Sequence, residues 1–266
     1  MFFLSKKNSI HYIFYALLIP FIIFYILPII IDIYFSFVDY GVHTSFVLFD
    51  NYLALFNDPK FIKALTNTLF ILLCTTLLLL VLAYPLAHNL NLLFDKYHWI
   101  KIAFLVPLLI PSGTITYIWN ILFDKTSTLN ALPVILLFIW KNCGYHILIF
   151  TIGLTLIPKE LYEVCSLEGV NKYHFELYMR LPLMRNSFLL SIIISVIQNL
   201  KIGREIFLLY GAHPRDDLYV LATYYREQFL TMNIESMSCS AIMSCLVILA
   251  LLVIIYKCLI LKESFL

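Results

Sequence analysis

From Tyr12 to Ile31 the chain reads YIFYALLIPFIIFYILPIII, twenty residues with no charged side chain. An α-helix rising about 1.5 Å per residue needs about this length to cross the roughly 30 Å hydrocarbon layer of a bilayer. A soluble core could hide one such helix, but the pattern recurs. Further apolar segments run over 65–87, centred on ILLCTTLLLLVLAY, and over 99–121, 132–157, 186–208 and 237–256. With 62% hydrophobic and only 13% charged residues, the chain has too little polar surface to wrap a water-soluble fold of its size. Lipid is therefore the expected solvent for most of it. The expectation is an all-α integral membrane protein with six transmembrane helices, one transmembrane domain over residues 1–266, and both ends on the same side.

Lys6 and Lys7 ahead of the first run would also suit a signal peptide, but the run is long and no A-x-A cleavage site follows it. It is expected to remain as the first span, with Pro20 and Pro28 absorbed by neighbouring groups. The third run is interrupted by Pro107, Pro111 and Gly113, and the fifth meets Lys201, Arg204 and Glu205 in its second half. Charge bias sets the orientation. A cytoplasmic N-terminus puts Lys6, Lys7, Lys96, Lys101, Lys159, Lys172, Arg180, Arg185, Lys257 and Lys262 inside. It leaves Lys60, Lys63, Lys125, Lys201, Arg204, Arg215 and Arg226 outside.

Several chemistries lack their signatures. No GxxxxGK[ST] loop occurs, so the chain is not expected to bind or hydrolyse ATP or to act as an enzyme. Six scattered cysteines read as small apolar residues, and with seven scattered histidines no metal-ligand spacing emerges. The net charge of +2 without a basic tail gives no sign of a nucleic-acid partner.

Polar residues inside the spans are the candidate functional groups. Lys141 and Asn142 sit in the fourth run, with Tyr145 one turn further on the same face as Lys141. Ser195, Gln198 and Asn199 form a second polar patch in the fifth. A lysine at that depth must face a polar cavity, pair with a carboxylate, or snorkel to the interface. Amides and hydroxyls there either hydrogen-bond between helices or line a path for a hydroxylated solute. An ion-coupled secondary transporter would use buried carboxylates, and apart from Asp32 near the end of the first span and Glu205 past the middle of the fifth the spans hold none. A non-transporting membrane scaffold subunit is the other alternative.

Residues 158–184, between the fourth and fifth spans, are wetter. KELYEVCSLEGV reads as a short helix with Leu161, Val164 and Leu167 or Glu168 on neighbouring turns, broken or closely bent at Gly169. NKYHFELYMR reads as a second helix, stopped by Pro182. Two short helices at the membrane face with mixed apolar and charged side chains suit a soluble protein partner, or a plain interfacial loop.

This loop resembles that of binding-protein-dependent ABC transporter permeases, which reads Glu-Ala-Ala, three residues, Gly, nine residues, Ile-x-Leu-Pro. The chain places Glu163, Val164, Cys165, Gly169, Met179, Leu181 and Pro182 at that spacing. IPKELYEVCSLEGV (157–170) is similar to the carbohydrate-uptake branch, as are FDNYLALFNDPKFIKALTNTLF (49–70), IWKNCGYHILIFTIGL (139–154) and LATYYREQF (221–229). The chain departs from the branch at Val164, Cys165 and Glu168, in the reduced YGAHP (210–214), in the short DKTSTLN between the third and fourth spans, and in ESMSCSAIM at the last span's start.

The resemblance implies a type I importer permease core in the plasma (inner) membrane. Its implied partners are a second permease subunit, two cytoplasmic ABC ATPases carrying ATP and magnesium, and an extracytoplasmic solute-binding protein. It implies no cofactor in this chain itself. Glu163 would anchor the ATPase, Gly169 act as the hinge, and Leu181 and Pro182 form the rigid exit. In maltose-type members the positions matching Asn142, Tyr145, Gln198 and Asn199 lie near the sugar, so a sugar or oligosaccharide is the implied solute.

Overall fold

The computed structural model describes residues 15–39, 44–96, 98–123 and 131–260. Lys6, Lys7, Lys125 with the segment DKTSTLN, and Lys262 lie outside the described residues, so their placement on either side of the membrane stands as read from the sequence. Helices dominate: α1 (Tyr15–Ser36), α2 (Asp50–Phe56), α3 (Pro59–Lys96), α4 (His98–Leu109), α5 (Ser112–Leu122), α6 (Leu132–Thr155), α7 (Lys159–Leu167), α8 (Lys172–Leu183), α9 (Arg185–Asn199), α10 (Ile202–Tyr210), α11 (Leu221–Leu230) and α12 (Ile234–Ile260). Among the described residues, four helical stretches are long and apolar enough to cross a membrane: Tyr15–Ser36, Pro59–Leu90, Leu132–Thr155 and Ile234–Leu259. The count reaches six if each of two bent helix pairs is one span.

The bends refine the sequence reading. Within the third run the chain turns by 96° between Ile102–Leu109 and Ser112–Leu122. Of the three expected interruptions, only Pro111 makes the break. Its ψ of 139° is extended, and its ring disfavours a helical Ile110. Pro107 and Gly113 lie inside helices.

Pro182 likewise does not stop its helix. α8 continues through it to Leu183, and the chain bends by 63° after Met184 instead. A π turn over Glu176–Arg180 precedes Pro182, and a second π turn, Ile22–Ile26, precedes Pro28 at the same offset. A proline ring presses on the carbonyl four residues earlier, and a widened turn relieves that crowding.

The chain divides into two units. The first takes residues up to Ile62 with Tyr225–Ile248. In it a two-residue hairpin, β1 (Val38–Asp39) against β2 (Ser45–Phe46), follows α1. Ser36 ties its parts together. The Ser36 hydroxyl accepts from Tyr52 Oη at 2.8 Å, and its carbonyl accepts from Asn51 Nδ2 at 3.2 Å and from Cys239 Sγ at 3.2 Å. Asp32 accepts from the Ser238 hydroxyl at 3.3 Å, so this carboxylate already serves a helix–helix contact. The outward apolar side chains of α1, such as Leu17, Phe24 and Tyr25, have lipid as their natural solvent.

The second unit comprises Lys63–Tyr224 with the chain from Leu249. One apolar cluster joins Ile71 and Leu79 of α3 to Ile115, Val134, Leu137, Ile206 and Leu218. Another joins Ala83 and Ala87 to Ile147, Phe150, Leu154 and Met184. α4 crosses α6 closely at Gly144, where a Cβ would stand 2.1 Å from the Phe104 carbonyl oxygen. Asn67 donates to the carbonyls of Asp216 (2.8 Å) and Tyr219 (3.0 Å), fastening the stretch after α10 to α3.

Candidate functional site

Charges of the fourth and fifth runs converge on one point. Lys141 Nζ lies 2.7 Å from Glu205 Oε1 and donates at 2.7 Å to the Ser112 hydroxyl. That hydroxyl donates in turn to Glu205 Oε1 at 3.0 Å. Arg204 Nη2 reaches Ser112 Oγ at 2.8 Å and Glu205 Oε1 at 3.3 Å. The lysine and glutamate side chains are 14% and 8% exposed, so Lys141 is paired rather than snorkelling.

Each position follows from local structure. The break at Pro111 places Ser112 at the start of α5. The break at Leu200–Lys201 places Glu205 in the first turn of α10, whose unpaired N–H groups favour a negative charge. Glu205 is therefore engaged with three partners and is not a free coupling carboxylate.

A cavity of about 30 Å³ lies beside the cluster, lined by Lys141, Asn142, Gln198, Lys201, Arg204 and Glu205 among others. That is room for about one water. Three of the sequence-derived pathway residues, Lys141, Asn142 and Gln198, thus meet there. Asn142 is buried and its amide donates to its own helix at Phe138 O, 2.9 Å away. Tyr145 is 39% exposed and is not among that cavity's lining residues.

Ser195 and Asn199 are employed differently. The Ser195 hydroxyl pairs with Thr76 Oγ1 at 2.7 Å. Asn199 Oδ1 accepts from Thr75 Oγ1 at 3.1 Å while its amide donates to Ser195 O at 2.9 Å. Both are buried between α3 and α9. Of the two roles open to them, the geometry displays helix–helix hydrogen bonding.

The 158–184 segment forms the expected two helices. Gly169 has φ +69°, and the chain closes α7 there with Val170 N donating to Cys165 O at 3.0 Å and Gly169 N to Ser166 O at 3.3 Å. This is a Schellman cap, which favours glycine at the left-handed position. A Cβ at Gly169 would meet nothing within 4 Å, so backbone conformation rather than space selects it. The buried face of α7 takes in only part of the set Leu161, Val164 and Leu167. Cys165 is buried and Leu161 and Tyr162 half-buried, whereas Val164 is exposed and Leu167 is 86% exposed. Glu163 is exposed, Leu181 half-buried and Pro182 exposed. The solvent face thus carries Val164, Leu167, Tyr173 and Tyr178 between the charges of Glu160, Glu163 and Glu168.

No protein-family model matches the sequence. The chain is 29% identical to the arabinooligosaccharides transport system permease protein AraP of Bacillus subtilis, over 87% of this chain and 82% of that protein. It is 27% identical to the sulfoquinovosyl glycerol transport system permease protein SmoG of Agrobacterium fabrum, over 70% and 68%. A bacterial ABC transporter that imports the acidic polysaccharide alginate shares the fold, with a TM-score of 0.70 at 20% identity over 96% and 98% of the two chains. The chain is thus similar to permease subunits of carbohydrate ABC transporters and shares the fold of one.

In the sequence Arg204 stands out only as a charge in the fifth run and on the outer side, and Ser112 does not stand out. A signal for both existed. A lysine in a span demands a partner, Glu205 was the carboxylate in a neighbouring span, and Pro111 marks a helix start at Ser112. Arg180, Glu176, Tyr84 and His88, which meet beneath the loop, also went unassigned.

Proposed function

We propose that this permease contributes half of a translocation path through which an ATP-driven importer takes up a sugar or oligosaccharide. The observation that carries the reading is the loop between α6 and α9. It is a capped helix pair whose solvent face alternates exposed apolar side chains with carboxylates, a composition suited to a protein partner rather than to lipid. The loop has the spacing expected for docking an ABC ATPase, with Glu163 as its charged anchor. Six spans follow if each bent pair crosses once, with both termini cytoplasmic and the 158–184 loop facing the ATPase.

The named relatives carry arabinooligosaccharides and sulfoquinovosyl glycerol, which supports a saccharide here. A second permease subunit, two ATPases binding ATP and magnesium, and an extracytoplasmic solute-binding protein complete the machine in an inner membrane. A second alginate importer structure of the same fold, with a TM-score of 0.67 at 20% identity over 94% of each chain, holds a pentasaccharide-bound periplasmic protein. Gln198, with Tyr145, Asn142 and Lys141, lines our proposed path. Ser195 and Asn199 set its walls by holding α9 to α3.

Three measurements test this. A thiol reagent that cannot cross the membrane is expected to label Lys172→Cys only from the cytoplasmic side; labelling from outside would reverse the topology. In the purified complex, Glu163→Lys is expected to lower ATPase recovery. Gln198→Ala is expected to raise KM for uptake of an arabinooligosaccharide by about two- to tenfold, the loss of one hydrogen bond. Equal ATPase recovery and unchanged uptake would leave the loop an interfacial segment and Gln198 a packing residue.

A further inference from the structure

We propose that Arg180 is the positioning residue that transmits motion of the ATPase-facing loop into the membrane helices. The proposal rests on the loop docking an ATPase, as above. Arg180 lies in the π turn of α8 and is only 8% exposed, unusual for a guanidinium on a wet loop. Its guanidinium carbon stands 5.3 Å from the Tyr162 ring centre on α7 and 5.2 Å from that of Phe175 on α8, and the two rings lie 4.9 Å apart. One cation therefore clamps both helices of the loop.

The same side chain reaches into the membrane domain. Arg180 Nη1 pairs with Glu176, lies 3.3 Å from both ring nitrogens of His88 on α3, and shares Glu176 with Tyr84, whose hydroxyl donates to the other carboxylate oxygen. The Tyr84 ring packs against Phe150 of α6 (5.6 Å between centres) and Phe188 of α9 (5.3 Å), and those two rings are 4.8 Å apart. The path from loop to α3, α6 and α9 is thus one continuous set of ion pairs, hydrogen bonds and ring contacts.

A guanidinium suits this place because its planar fork can stack on aromatic faces and bond a carboxylate together, which an ammonium cannot do. A purely structural loop would need only contacts such as Cys165 with Met179 and Tyr162 with Phe175. A displacement of α7 and α8 that keeps the clamp intact must carry Tyr84, and with it the junction of three membrane helices.

The test uses the assembled complex in liposomes and needs no transported solute. Tyr145→Cys serves as reporter, and its reaction rate with a small charged thiol reagent is measured with and without ATP and vanadate, after subtracting the rate of the parent protein. With Arg180 present, nucleotide trapping is expected to change the rate by about 5- to 150-fold, the usual range of coupling between distant sites. With Arg180→Met the ATPase is expected to remain bound at the parental level while the nucleotide effect falls within about twofold, and Arg180→Lys is expected to restore part of it.

Tyr84→Phe removes one hydroxyl and keeps the ring packing, and should weaken the effect by about two- to tenfold. A full nucleotide effect in Arg180→Met or Tyr84→Phe overturns the proposal. So does an effect lost only in step with ATPase recovery, which marks a structural role. If the parental complex recovers no ATPase, or its reporter ignores nucleotide, the docking reading itself fails, whatever the Arg180 variants do.

Discussion

Lys141→Met is expected to cost about 3–5 kcal/mol of folded-state stability, because it strands the Glu205 carboxylate in a span with its main cation gone. Much of a typical margin of about 5–15 kcal/mol would be lost. The expected result is a marked fall in monodisperse protein extracted in mild detergent and in its thermal midpoint, with uptake falling in proportion. Arg204 and Ser112 remain near Glu205 but do not replace the loss, since the Arg204 side chain is largely exposed and Ser112 is neutral. The double variant Lys141→Met with Glu205→Leu is expected to recover most of the stability, because lipid and apolar neighbours solvate that pair at little cost. Equal stability of the single variant and the parent would show that the pair contributes nothing. A double variant no better than the single would show that the residues act independently.

Gly144→Ala is expected to be the most damaging glycine-to-alanine substitution among the described residues. The new Cβ would stand 2.1 Å from the Phe104 carbonyl oxygen and 3.0 Å from its carbon, and both are backbone atoms of α4. A side chain could rotate aside, but a helix backbone must move as a body. Over-packing of this kind costs about 1–3 kcal/mol or more. The same change at Gly113, where a Cβ meets nothing within 4 Å, is expected to be neutral or stabilising by about 0.5–1 kcal/mol, since alanine suits a helix interior better. Thermal midpoints of the two variants in detergent check the contrast. Similar midpoints would mean that α4 and α6 have room to separate.

The loop shows how far residue types alone carry an argument. Glycine at 169 could be read as a break because no other residue adopts a positive φ as easily, and the cap confirms that reason. Proline at 182 was read as a stop by the same logic, yet the helix passes through it. Whether a proline ends a helix depends on whether the preceding turn can widen, and here Glu176–Arg180 does so. The turns bearing Leu161, Val164 and Leu167 left a different question open. Period alone places residues on a shared face, but which face turns inward was set by the Tyr162–Phe175 ring contact with Arg180 and by the seat of Cys165.

The apolar runs determined by themselves that the chain is helical and lies in lipid, because backbone groups in hydrocarbon must bond within their own segment. Spacing around Glu163, Gly169 and Pro182 likewise marked the loop, since caps and breaks are local events. The tertiary structure alone decided the partners of the polar groups. Lys141 needed a countercharge, but its choice of Glu205 and Ser112 required three segments far apart in sequence to meet where two helices begin. Asn199 and Gln198 are neighbours of similar chemistry, yet Thr75 takes the first and a small cavity faces the second. Hydrogen bonds and ion pairs act over about 3 Å, and distances that short between remote residues exist only after the helices have packed.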